Sequence, residues 1–416
     1  MKITHLQLAN MRAFEQAEFE FSPGITLLVG INGVGKTTVL DALRTCLSKI
    51  LPDVTASRSR ALPFTVDDLR GDSPSMTVQL ALTFGGKDFS FVVHKQREAT
   101  IAHKEGQVRE QTVDTPDRET CTPPLSVLGE ATKSADKQPL AVFFATRRSL
   151  VSDVAPTSGS AGGGQAAAFA EALAPRELRL SEMAQWMRAQ EELASEYPSA
   201  KKHLAALHRA AKQFLPECKR LRVETLPKPR LLVQKDGMSL DVRQLSEGER
   251  GLLALVLDLA RRLSQANPGL ADPVKMGEAI VLIDELDLHL HPKWQRTIVE
   301  SLTRTFPRCQ FIATTHSPQI VAAVDPDQVL LLTDTGVLVP DRTLGMDSNW
   351  ILRHLMQADD RPEDASSAIR EVEALIKKGT FQKARKAIAT ARKAGLDLPE
   401  WSILEARMAR LEVLAK

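Results

Sequence analysis

The segment Gly30-Ile31-Asn32-Gly33-Val34-Gly35-Lys36-Thr37 carries the most specific chemistry in the chain. Glycines at these intervals let a backbone curl until successive N–H groups converge on an anion. A lysine and a hydroxyl directly after them supply a cation for β- and γ-phosphates and a ligand for Mg2+. The pattern GxxxxGK followed by Thr assigns Gly30, Asn32, Gly33, Gly35, Lys36, Thr37 and Thr38 to the phosphates of a nucleotide. A second group is Asp284-Glu285, which ends the apolar run Ala279–Ile283. Asp284 suits a Mg2+ ligand beside Thr37, and Glu285 suits the group that orients and deprotonates an attacking water. Adjacent acids at a strand end are also met as plain surface charge. The third group is Leu245-Ser246-Glu247-Gly248-Glu249-Arg250. Ser246 and Glu249 have the spacing of a capping box. Gly248 costs a helix about 1 kcal/mol in its first turn, and a helix N-terminus bare of a side chain there admits a phosphate.

These groups need particular elements to hold them. Ile25–Val29 is a short apolar run ending in glycine, as a buried strand before a phosphate loop must be. From Thr37 to Leu51 the apolar residues Val39, Leu40, Leu43, Leu47 and Leu51 share one helical face. Apolar runs at 280–283 and 310–314 predict two more buried strands, with a helix over 292–304 between them. The periodicity also predicts helices over 178–195, 199–214 and 248–265. Alternation predicts strands at 2–8, 17–21 and 76–95, and Leu140–Ala145 is another buried-strand candidate just after Gln138. Residues 102–137 read as polar loop, 152–165 as a low-complexity flexible loop, and the chain beyond 345 as helical.

Composition narrows the classes. With 416 residues, 43% hydrophobic and 25% charged, the chain has the make-up of a large globular protein rather than a disordered one. Lys plus Arg is 54 against 52 for Asp plus Glu, so it is not coated in basic charge, although a local basic groove stays open. Cys46, Cys121, Cys218 and Cys309 form no CxxC pair, which leaves zinc and redox motifs without support and points to reduced thiols in a cytoplasmic protein. Neither a leader-like start nor an apolar run of 18 residues is found, so no membrane span is expected.

The order phosphate loop, LSEGE, acidic strand, then Thr314-Thr315-His316-Ser317 resembles that of ABC-type ATPases. The 210 positions from Lys36 to Ser246 are too many for a transporter nucleotide-binding domain. The opening LQLANMRAF is similar to the start of RecF, OLD-nuclease and SMC-type ATPases. ELDLHLHPKWQ and TTHSPQIV resemble the group found in bacterial antiviral systems, including the ATPases of Septu and retrons and predicted ATP-binding proteins involved in virulence. The helical segment from Ser348 resembles the last of these.

The resemblance implies an α/β fold: a P-loop NTPase of the ABC type, with an ATPase core from 1–150 and 215–340. It also implies a helical insertion at 151–214 and a helical docking module at 345–416. His316 would contact the γ-phosphate, and Leu286-Asp287 would lie between dimer partners. Ser246 and Gly248 would close over the ATP of a second copy in a homodimer or larger homo-oligomer. Arg12 would approach the nucleotide, unless it is an ordinary surface arginine. Gln138 would be the Mg2+-sensing glutamine. His289 and His291 could be a metal pair, but a strand-like HxH without further Cys or His fits the dimer loop better. The partner expected is a separately encoded nuclease or toxin; the alternative is a RecF-like clamp on DNA. Basic clusters at Arg147-Arg148, Lys219-Arg220-Arg222 and Lys383–Lys393 are solvated faces or contacts to a phosphate backbone. No built-in nuclease site is seen.

Overall fold

Apolar runs bounded by glycine and acid become a parallel sheet. The computed structural model describes residues 1–416 apart from 105–106, 129–131, 134, 150–163, 176, 178–179, 225–229, 236, 358–362 and 415–416. Most of the expected flexible loop therefore lies outside the described residues. The strands are β1 (Lys2–Met11), β2 (Phe14–Glu20), β3 (Ile25–Val29), β4 (Ser75–Phe84), β5 (Lys87–Lys104), β6 (Gln107–Asp114), β7 (Arg118–Thr122), β8 (Leu140–Phe144), β9 (Cys218–Glu224), β10 (Arg230–Lys235), β11 (Met238–Asp241), β12 (Ala279–Ile283), β13 (Gln310–Thr315), β14 (Val329–Thr333) and β15 (Gly336–Leu338). The helices are α1 (Lys36–Val54), α2 (Ala166–Phe169), α3 (Leu180–Leu193), α4 (Pro198–Phe214), α5 (Glu247–Ala266), α6 (Pro273–Met276), α7 (Pro292–Gln295), α8 (Ile298–Thr305), α9 (Pro318–Val321), α10 (Ser348–His354), α11 (Glu363–Lys377), α12 (Phe381–Lys393) and α13 (Glu400–Leu414).

The site-bearing sheet runs β15-β14-β3-β13-β12-β8, parallel except for the edge strand β15. Every residue of β3, β8, β12 and β13 is buried, as expected of strands covered on both faces. Their registers set Val29 against Thr315, Ala313 against Ile283, and Ile283 against Phe144. The carboxyl ends of these strands therefore lie level, where open α/β sheets place their ligands.

A second sheet, β2-β1-β4-β5-β6 with β7 also on β5, is antiparallel throughout. It corrects the reading of 102–137 as loop. β5 runs on to Lys104, and β6 and β7 pair with it. Antiparallel strands with a solvated face need no continuous apolar run, so their polar sequence hid them. A third sheet, β11-β10-β9, leads into α5. The helix expected over 292–304 is two, α7 and α8, parted at Arg296-Thr297.

The chain forms two compact units, Met1–Ile351 and Leu352–Lys416. The helices expected as an insertion belong to the first unit. Arg262 of α5 bonds Asp258 at 2.8 Å and the Ala168 carbonyl of α2. In the second unit α11, α12 and α13 enclose Val372, Ile376, Ile388, Trp401 and Met408, and the Trp401 indole donates to the Leu396 carbonyl at 2.7 Å. Of the basic run in α12, Arg385 pairs with Glu412 at 2.8 Å and Arg392 with Glu405 at 3.0 Å, which is the solvated-face arrangement.

Candidate nucleotide-binding site

The phosphate loop sits between β3 and α1. Gly33 and Gly35 take positive φ of 88° and 100°. A Cβ on Gly35 would lie 2.5 Å from the Phe14 ring, so packing as well as conformation demands glycine there. The Lys36 ammonium donates to the carbonyls of Gly30 and Ile31, both at 2.8 Å. Burial lowers its pKa, and the charges of Asp284, Glu285 and Asp287 work against that. Phosphate oxygens entering the loop would replace two neutral carbonyl partners with charged ones.

Asp284 and Glu285 follow β12, and Thr314 to His316 end β13. The Thr314 hydroxyl donates to Asp284 Oδ1 at 2.8 Å and accepts the Glu285 N–H at 2.7 Å. Asp287 Oδ1 accepts from the Thr315 hydroxyl at 2.6 Å and from the His316 N–H at 3.1 Å. The segment Leu286-Asp287, expected between dimer partners, is thus tied to the histidine strand of its own chain. Glu285 itself has φ 50°, a left-handed conformation worth about 1–3 kcal/mol of strain for such a residue.

Together these residues line a cavity of about 240 Å3: Asn32, Gly33, Gly35, Lys36, Thr37 and Thr38 from the loop, Asp284 and Glu285 after β12, and Thr314 and His316 from β13. Gly30 lies at its base through the carbonyl on Lys36. The Thr37 hydroxyl and the Asp284 carboxylate suit Mg2+, which keeps several waters and takes its other oxygens from phosphates. Among the described residues no group of three His, Cys, Asp or Glu could hold a metal by itself. His291 Nδ1 accepts the Lys293 N–H at 3.2 Å as a helix cap, and His289 lies 3.4 Å from Glu247, so the two histidines are engaged separately.

Three sequence expectations change. Gln138 stands before β8 rather than after it, at the amino end of the sheet. Five strand residues at about 3.3 Å each put it roughly 17 Å or more from the acids. It is 1% exposed, and its amide is spent on the Ala56 N–H and the Lys133 and Ala135 carbonyls, so it does not sense Mg2+. Arg12 lies outside the cavity lining. It donates to Asp41 at 2.7 Å and Asp68 at 2.9 Å; burial opposes its charge, but the bonds and charges of these two carboxylates hold its pKa raised. Gly248 has a reason within its own chain. A Cβ there would lie 2.2 Å from the His289 carbonyl oxygen, so close packing within the chain already demands glycine at this position.

The LSEGE segment also caps α5. Ser246 Oγ accepts the Glu249 N–H at 3.3 Å, and Glu249 Oε2 accepts the Ser246 N–H at 3.0 Å, the reciprocal pair expected. Lys235 bonds Glu249 Oε1 at 2.5 Å. Neither Ser246 nor Gly248 lines the cavity. One residue escaped the sequence reading. Arg148, set among the basic clusters, is 5% exposed, whereas Arg147 is exposed. Its guanidinium donates to the carbonyls of Asp284 at 2.6 Å, Glu285 at 2.5 Å and Ala145 at 3.3 Å. Its place after β8, level with β12, was the available signal.

A parallel sheet carrying the phosphate loop, the acid pair and His316 on three adjacent strand ends defines an ABC-type ATPase head. The SMC head bound to the C-winged helix domain of ScpA has the same fold. It aligns with a TM-score of 0.50 and 13% identity over 83% of this chain and 98% of that one. The chain belongs to the family described as "AAA domain, putative AbiEii toxin, Type IV TA system", whose model matches residues 25–322. It is 41% identical to the Retron Ec83 probable ATPase of Escherichia coli over 42% of this chain and 32% of that protein. It is 37% identical to the Septu protein PtuA of Bacillus mycoides over 22% of this chain and 12% of that protein. The matches thus span a third or less of either relative's length. Among the described residues no helix is long and apolar enough to cross a membrane.

Proposed function

We propose that this protein hydrolyses ATP with Mg2+ in a pair of chains closed over nucleotide, as the sensor-motor of a bacterial antiviral system that governs a separately encoded nuclease or toxin. The observation that carries this reading is the cavity at the strand ends, whose loop and acids are in place while Ser246 stands outside it. Lys36 binds the β- and γ-phosphates, and the curled backbone of the loop surrounds them. Thr37 and Asp284 would hold Mg2+, which when bound neutralises phosphate charge. Glu285 takes the proton of the attacking water, and His316 meets the γ-phosphate. The exposed start of α5 in the second copy presents Ser246 and backbone N–H groups to the nucleotide from the open side. The family and the retron and Septu relatives support the defence setting.

Glu285→Gln tests the reading. Hydrolysis is expected to fall by roughly 10²–10⁴-fold, with ATP retained and a nucleotide-dependent dimer visible by light scattering. Wild-type turnover in the variant overturns the assignment of the base, and a monomer under all nucleotide conditions overturns the pair. ATP-dependent retention of DNA by the purified protein, with no companion protein recovered from cells, would replace the defence role with RecF-like clamping.

A further inference from the structure

Glu285 needs more than a place at a strand end. Its backbone is turned into the left-handed region, φ 50°. Such a conformation persists only where neighbours hold it. Its N–H is held by the Thr314 hydroxyl at 2.7 Å, and its carbonyl by Arg148 at 2.5 Å. Arg148 also takes the carbonyl of Asp284 at 2.6 Å, so one guanidinium spans both acids from behind. A second tie, the Asp284 N–H on the Phe144 carbonyl at 2.9 Å, fixes the preceding peptide to the strand from which Arg148 departs.

The partners of Arg148 are unusual for a buried arginine. They are main-chain carbonyls, and among the described residues no carboxylate lies within 4.0 Å of it. An arginine kept for stability is ordinarily paired with an acid. Here the guanidinium engages the main chain of two acidic residues rather than their carboxylates, and the planar fork matches carbonyls a residue apart.

Resting on the ATPase reading above, we infer that Arg148 is a positioning residue for hydrolysis, locking the Asp284-Glu285 backbone so that the base faces the γ-phosphate. It does not touch nucleotide, because it lies behind the acids and outside the cavity lining. The arginine acts on turnover and leaves ATP affinity to the phosphate loop.

The experiment compares Arg148→Met, Arg148→Lys and Glu285→Gln in the full chain, reading single-turnover hydrolysis against the dissociation constant of a fluorescent ATP analogue. A base displaced by about an ångström costs on the order of 100-fold in rate. That loss is expected in Arg148→Met, with analogue affinity within about threefold of wild type, since the loop contacts are untouched. Arg148→Lys keeps the charge but cannot fork, and its rate is expected to fall between the two. Analogue affinity lost in step with rate in both variants makes Arg148 merely structural and overturns the inference. So does Arg148→Met turning over at the wild-type rate while Glu285→Gln is dead, which leaves the ATPase reading standing. Full hydrolysis by Glu285→Gln overturns that reading and the inference with it.

Discussion

The phosphate-loop face and the start of α5 treat their polar groups in opposite ways. On the first, Asn32, Thr37 and His316 are exposed, and Lys36 rests on two carbonyls of its own loop. On the second, the Ser246 N–H and hydroxyl both meet Glu249, which Lys235 holds in turn. The first face is poised to exchange weak internal partners for a ligand. The second is already satisfied within its own chain, and on the proposed reading what it would offer a second copy is a hydroxyl and helix N-terminal amides. On that reading, one is a binding site and the other is the surface that completes a neighbour's.

The strongest way to break that contrast is to damage each face alone. Lys36→Ala removes charge-assisted bonds to phosphate, and ATP affinity is expected to fall roughly 100-fold by calorimetry. Ser246→Arg leaves the loop intact, so affinity is expected to stay within about twofold while hydrolysis falls on the order of 100-fold through loss of a closing contact. Mixing the two variants is expected to restore turnover, because in the proposed dimer one composite pocket then has a sound loop and a sound cap. If Ser246→Arg weakens binding as much as Lys36→Ala, or the mixture stays dead, the two-faced description is wrong.

Sequence revealed the first face far better than the second. The phosphate loop, the acid pair and the histidine strand are local patterns whose chemistry requires neighbours only a few residues away. Arg148 is legible only through the pairing of β8 with β12, because nothing in Arg147-Arg148 distinguishes a buried cation from an exposed one. Gln138 was misplaced although the signal was present. Ligands gather at the carboxyl ends of parallel strands, and a residue preceding β8 stands at the other end. Arg12 was expected to approach the nucleotide or to be an ordinary surface arginine, and the two carboxylates that occupy it come from Asp41 and Asp68, distant in sequence. The antiparallel strands β6 and β7 escaped because their sequences carry no apolar run, which such strands do not need.

Gly248 joins the two faces within one chain, and it gives a smaller expected effect. The side of Gly248 where a Cβ would stand faces the His289 carbonyl, in the loop whose Asp287 holds the His316 backbone. Gly248→Ala puts a methyl 2.2 Å from that oxygen, which is backbone and cannot rotate away. Overpacking of this kind costs about 1–3 kcal/mol, so a fall of several degrees in unfolding temperature is expected. Because the loop must shift, ATP turnover is expected to fall more than ATP affinity. Stability unchanged in the variant would mean that loop and helix part freely, and that the faces are independent.

The smallest effect isolates the electrostatics of the second face. Burial works to raise the pKa of Glu249, but bonds from Lys235 and Ser246 outweigh it, and the net shift is downward from 4.5. A carboxyl with a depressed folded pKa binds fewer protons folded than unfolded, so its contribution is present above about 4.5 and fades as pH falls through the folded value. Glu249→Gln removes the charge and keeps the shape. The variant is expected to be less stable than wild type by roughly 0.5–1.5 kcal/mol at neutral pH, on the scale of a helix cap. The gap should close as the pH drops below 4.5, where protonated wild-type Glu249 becomes the glutamine's near equivalent. A gap that persists in acid would mean that Glu249 holds the start of α5 by packing, and that the capping carboxylate is not what keeps Ser246 in place.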